Sequence, residues 1–104
     1  FEAVITATRP LENEIVKTIA SFETMSGTEW IPSSDLRKFS PNVFIELNEE
    51  HITSKTNAME CYEFEKRPFP HPRSKESIRN RANMWGITVG KEFAEPFQLI
   101  RHLI

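Results

Sequence analysis

Apolar residues along this chain fall in short runs separated by Pro, Gly, Ser and Asn, and their spacing predicts an alternation of small helices and strands. Phe1, Val4 and Ile5 recur at i, i+3 and i+4, which suits the end of a helix over Phe1–Arg9 stopped by Pro10. A strand through Ala3–Ala7 competes with it. Glu14–Thr24 places Ile15, Val16, Ile19 and Phe22 in a β-branched, aromatic stretch that reads as a strand, although the same spacing fits a helix. Ser26-Gly27-Thr28, Pro32-Ser33-Ser34 and Ser40-Pro41 mark a long loop, and its Trp30 and Phe39 should pack down onto the fold. In Asn42–Asn48 the residues Val43, Ile45 and Leu47 alternate onto one strand face. A helix from Glu49 to Lys66 follows, with Ile52, Met59 and Tyr62 on a broadly common side.

Pro68-Phe69-Pro70-His71-Pro72 predicts a rigid, extended connector, because each Pro fixes its own φ and turns its predecessor away from the helical region. Ser74 is a good N-cap for a helix over Lys75–Trp85. Ile78, Ala82 and Trp85 form that helix's apolar stripe, and Gly86 is its expected C′ stop before a short connector, Ile87–Gly90. The tail Phe93–Ile104 carries a final strand through Pro96–Ile100, with a helix as the alternative.

Composition changes this picture in one respect. The chain has 104 residues, enough for one small domain. Its apolar fraction is 38%, against the ~45–50% of an average globular chain counted with Gly. Eight Phe, two Trp and one Tyr partly compensate with large buriable areas. Small domains bury a smaller share of their surface, so this core is expected to be completed by something outside the chain. The start, Phe1-Glu2-Ala3-Val4, has neither a basic nor an apolar leader region and no Met, which suggests a fragment or processed chain. No apolar run is long enough to span a bilayer. The single Cys61 excludes an internal disulfide framework and fits a reducing, cytoplasmic location. A net charge of −2, from 13 basic and 15 acidic residues, gives no reason to expect nucleic acid or an anionic membrane as partner.

Candidate chemistry is sparse. His51, His71 and His102 have no His or Cys partner at metal-motif spacing, so only a composite site of His51, His71 and Asp35 would offer a metal three ligands. Cys61 has no cationic or His neighbour at helical spacing to activate it and reads as a core or surface thiol. A Gly-x-Ser-x-Gly elbow and a Gly-rich phosphate loop are both missing. The densest feature is Lys66–Lys75, where potentially cationic side chains surround a Pro-rich segment feeding a helix N-terminus. Such a terminus beside Arg73 suits an anion or a sugar oxygen; a solvated loop is the plainer reading.

His71-Pro72-Arg73-Ser74, then Ile78-Arg79, Ala82, Gly86, Gly90 and Ala94-Glu95-x-Phe97-x-Leu99-Ile100-Arg101, resembles the C-terminal end of the LmbE-like (PIG-L) deacetylase family. Ala7-Thr8-Arg9-Pro10 and Phe22-Glu23-x-x-Ser26-Gly27-Thr28-Glu29-Trp30 are similar to that family's central segment. Pro41-Asn42-Val43-Phe44, Lys55, Ala58 and Tyr62 continue it in register, so the likeness covers about Ala3 to Arg101. The resemblance implies a zinc-dependent amidase that deacetylates N-acetylglucosamine-type sugars on a Rossmann-like α/β sandwich, and a homo-oligomer.

The chain departs from the family where the metal binds. The zinc and base motif, His-Pro-Asp-Asp-Glu in typical members, is missing, as is the Asp-His pair carrying the third ligand. The expected fold is therefore the C-terminal half of that sandwich, one partial domain over residues 1–104, with no catalytic or metal-binding residue and no cofactor of its own. Its partners would be the missing N-terminal half or further copies of the chain, with the sugar as substrate of the intact enzyme. His71, Arg73 and Ser74 carry over as substrate-binding or rim residues, and Thr28, Glu29 and Trp30 as structural support; plain scaffold competes for all of them. The alternative function is a standalone assembly or ligand-binding module derived from that fold. A nucleic-acid binder fits least. If the chain is a half-fold, the faces of Phe1–Ile5 and Val43–Leu47 should lack a partner.

Overall fold

Three strands make the centre of the fold: β1 (Thr18–Phe22), β2 (Val43–Leu47) and β3 (Phe93–His102). In the computed structural model, which describes residues 1–32, 34–35, 38–62 and 67–104, they form an antiparallel sheet in the order β1-β3-β2. With the helices α1 (Glu2–Ala7), α2 (Glu49–Glu60) and α3 (Lys75–Thr88), this is a small mixed α/β domain. The last strand in sequence is thus the middle one in space. Phe22 and Val43 both stand opposite Phe97, and Leu47 stands opposite Phe93. Because side chains alternate along a strand, Phe22, Val43, Ile45, Leu47, Phe93, Glu95 and Phe97 share one face.

Only one end of that face is covered. Leu47 and Phe93 pack with Ile52 of α2 and Ala82 of α3, Ile78 is also buried, and Ala94 is buried on the opposite face of the sheet. At the other end Phe22 is 65% and Ile45 52% exposed. α1 buries nothing, and its Phe1 is 75% exposed. The faces of Phe1–Ile5 and Val43–Leu47 are therefore largely open, apart from half-buried Ile5, Phe44 and Leu47.

The helix starts follow the local signals. Asn48 Oδ1 accepts the His51 N–H at 3.0 Å, and His51 Nδ1 accepts the Asn48 N–H at 3.1 Å, closing a capping box. Ser74 Oγ accepts the Ser77 N–H at 3.1 Å. Other boundaries differ from the expectation. β1 begins only at Thr18, so Ile15 lies outside the sheet and exposed. α2 ends at Glu60 with Cys61 as its cap, while the expected continuation through Lys66 lies outside the described residues from position 63.

Pro68–Pro72 is a turn, not an extended connector. The His71 N–H donates to the Pro68 carbonyl at 3.1 Å, and the Ser74 N–H donates to the His71 carbonyl at 2.9 Å. Gly86 is not the stop of α3 but lies inside it. The Lys91 N–H reaches the Gly86 carbonyl at 2.8 Å and the Gly90 N–H the Ile87 carbonyl at 3.2 Å, a Schellman closure with Gly90 at φ +75°. Ile87 and Thr88, expected as connector, are helical for that reason. The final strand runs from Phe93 to His102, longer than Pro96–Ile100. Among the described residues no helix is long and apolar enough to cross a membrane.

Candidate functional site

The residue after β1, Glu23, has a side chain only 7% exposed. Arg81 of α3 pairs with its Oε1 through Nε, and Trp85 Nε1 donates to its Oε2 at 3.1 Å. The Arg81 guanidinium lies 5.2 Å from the Trp85 ring centroid, a cation–π contact that completes the cluster. A buried carboxylate is tolerable because both oxygens are satisfied, one by a charged donor.

Beside Glu23 opens a cleft of about 370 Å³ between the end of β1, α2 and the turn before α3. Phe22, Met59 and Tyr62 provide its apolar wall, and Lys55, Arg73, Glu95 and Glu23 its charged side. Lys55 Nζ and Glu95 Oε1 are paired at 2.9 Å, each about a third exposed. A half-open ion pair next to an aromatic wall can exchange hydrogen bonds with a polar ligand without leaving a buried charge stranded. The volume falls within the ~300–1,000 Å³ of small-molecule sites.

The two motifs singled out in the sequence meet on the other side of the same turn. The Trp30 and His71 rings stand edge to face, with centroids 6.0 Å apart. Glu29 and Pro72 help line a shallow hollow of about 280 Å³ between them and α3. Thr28 Oγ1 donates to the Thr24 carbonyl at 3.0 Å. Glu29 Oε1 accepts the Ser26 N–H at 2.7 Å, holding Ser26 at φ +65°, a conformation that L-residues avoid. Thr28 and Glu29 thus hold a bent loop, and Trp30, expected to pack down, keeps 62% of its surface exposed while its ring meets His71. Phe39 does pack, edge to face on Trp85 at 6.5 Å.

The three carried-over residues take different places. Ser74 is buried, and its hydroxyl serves as the α3 cap while donating to Ser77 Oγ at 2.9 Å. His71 spends Nδ1 on the Arg73 N–H at 3.1 Å. Arg73 alone lines the cleft. Glu23, Lys55, Tyr62 and Glu95 join it there, although spacing did not mark them as site residues: they come from separate elements and meet only through the pairing of β1 with β3 and the packing of α2.

Other candidates do not assemble. Among the described residues no three His, Cys, Asp or Glu side chains stand close enough to hold a metal ion, so His51, His71 and Asp35 form no such group. Cys61 is an exposed thiol. Of the basic segment, Lys75 lies 4.0 Å from Glu60, and Lys66 is outside the described residues. Arg79 is paired with Glu49 at the helix surface and holds that carboxyl below the usual glutamate range, chiefly through their hydrogen bond. No protein-family model, curated protein or solved structure matches the chain.

Proposed function

We propose that this chain is the C-terminal portion of a zinc-dependent N-deacetylase acting on N-acetylglucosamine-type sugars or glycoconjugates, and that its sheet is one end of a Rossmann-like sandwich. One observation carries the reading. Phe22, Glu23, Lys55, Tyr62, Arg73 and Glu95, all residues on which the family resemblance rests, line a single cleft. The open apolar ends at Phe22, Ile45 and Phe1 support it, since they offer a surface for the rest of the fold or for another copy in a homo-oligomer.

In this reading the cleft is the sugar-facing wall. Tyr62 offers a flat apolar face to a pyranose ring, while Lys55, Glu95 and Arg73 exchange hydrogen bonds with its hydroxyls. Glu23 shapes the floor and holds α3 against β1 through Arg81 and Trp85. The reaction is amide hydrolysis: water adds to the acetyl carbonyl, the C–N bond breaks, acetate leaves and the sugar amine takes up a proton. A zinc ion held by the rest of the fold would supply polarisation of that carbonyl and a hydroxide from bound water. Among the described residues no group of side chains fits a zinc site. A cytoplasmic location follows from the same reading.

The test is acetate release from an N-acetylglucosamine derivative with zinc, using this chain alone and then the product of the contiguous upstream coding sequence joined to it. The expected result is no release by the chain alone, release by the longer product, and a His-Pro-Asp-Asp-Glu segment in the upstream part. Turnover by these residues alone, or an upstream sequence without that motif, overturns the proposal. A zinc-free, monodisperse chain that binds the sugar at this cleft would make it an independent binding module instead.

A further inference from the structure

We infer that the neutral imidazole of His71 is a latch that positions Arg73 in the cleft, and that protonating His71 releases it. The inference goes beyond the deacetylase reading and does not depend on it. The turn from Pro68 to Ser74 is built around His71, whose N–H and carbonyl close it at both ends. Its side chain makes the third bond: Nδ1 accepts the Arg73 N–H at 3.1 Å. An acceptor at Nδ1 requires that the ring's single proton sit on Nε2. The ring thus does what Asn or Asp does in an Asx-turn, bonding the backbone two residues on.

Half-buried against Trp30, the ring is kept in place from the side. The element packed on it is the Thr28–Trp30 turn, whose charge is Glu29, and Glu29 Oε1 accepts the Ser26 N–H. Among the described residues of its own segment the charged groups are Arg67, Arg73, Lys75 and Glu76. Imidazole is the side chain whose charge changes between about pH 5 and 8. A second proton turns Nδ1 into a donor aimed at another donor, so the 71–73 bond is lost. The bond is therefore intact where His71 is neutral and lost as the pH falls through its titration. Arg73 lies between this bond and the Ser74 cap, and its side chain lines the cleft with Glu23, Lys55 and Glu95. Opening the latch frees the backbone that aims that side chain.

The test follows the Arg73 backbone amide by NMR from pH 8 to pH 5 in the ¹⁵N-labelled full chain, with His71→Asn and His71→Ala beside it. In the wild type the Arg73 resonance should move in one transition that tracks the His71 ring. Its hydrogen exchange, corrected for intrinsic pH dependence, should quicken about fivefold, the loss expected for one hydrogen bond. In His71→Asn the carboxamide oxygen replaces Nδ1 and does not titrate, so the Arg73 resonance should stay at its alkaline position throughout. In His71→Ala it should show the open position at every pH. The Asn48 amide, bonded to His51 Nδ1, should titrate in all variants and confirms that the method sees such a bond. An Arg73 amide that ignores the His71 titration, or that keeps its transition in His71→Asn, overturns the inference. Should His71→Ala not fold, the wild type and His71→Asn decide.

Discussion

Replacing Gly86 by alanine sets two local effects against each other. Within a helix, alanine is favoured over glycine by about 1 kcal/mol, so propensity alone makes the variant more stable. Packing points the other way. A Cβ at position 86 would stand 2.6 Å from the Glu92 carbonyl carbon and 2.7 Å from the carbonyl oxygens of Lys91 and Glu92. Ordinary carbon contacts lie at roughly 3.5–4.0 Å, so the 91–92 backbone would have to retreat by about 1 Å. That backbone is held by the Lys91 N–H on the Gly86 carbonyl and by Asn83 Nδ2 on the Glu92 carbonyl, both at 2.8 Å. It leads directly into buried Phe93, whose register opposite Leu47 sets the sheet.

Overpacking costs about 1–3 kcal/mol and each hydrogen bond lost about 1 kcal/mol. With both of these bonds lost and the gain in propensity set against them, Gly86→Ala should destabilise by about 2–4 kcal/mol. Gly90→Ala is the control. Nothing lies within 4 Å of a Cβ there, so only the φ of +75° opposes it, at about 1–2 kcal/mol. Urea unfolding followed by far-UV circular dichroism should rank wild type above Gly90→Ala and that above Gly86→Ala. A Gly86→Ala chain as stable as the wild type, or more so, would refute the close approach of α3 to the 91–92 backbone.

Two further outcomes follow from the ion pairs. Glu23→Ala leaves Arg81 Nε and Trp85 Nε1 without their acceptor and should cost about 2–4 kcal/mol, whereas Glu23→Gln keeps an oxygen for one donor and should cost about half that; urea midpoints and near-UV dichroism of Trp85 check both. Glu49 has its carboxyl lowered by the Arg79 hydrogen bond, so its contribution is present above the ordinary glutamate range and lost as the pH falls through its lowered value. A ¹³C-detected titration should show Arg79→Ala moving Glu49 back up; an unchanged Glu49 would sink the pairing.

Much of the local structure was legible from neighbouring residues. Ser74 announced the start of α3 because a capping side chain bonds a backbone group only three positions on, and Asn48, not marked in the sequence, caps α2 in the same way. The alternation of Val43, Ile45 and Leu47 gave β2 its faces for the same reason of short range. Where a local signal had two possible partners it misled. Gly86 looked like a helix stop, yet its missing Cβ serves a close approach by backbone several residues downstream, and Gly90 ends the helix. The prolines at 68–72 favour extended backbone, yet hydrogen bonds from and to His71 fold the segment into a turn.

Within this chain, then, the placing of helix caps, the strand alternation and the leanness of the core could be read from residue order, because each depends on groups a few positions apart or on composition. The middle place of β3 and the cleft could not. Thr18 pairs with His102 across 84 positions, and that registry is what brings Glu23 and Glu95 toward α2 and the 71–74 turn. Such pairings are chosen by which apolar surfaces are buried together, a property of the assembled layers that no short window of residues contains.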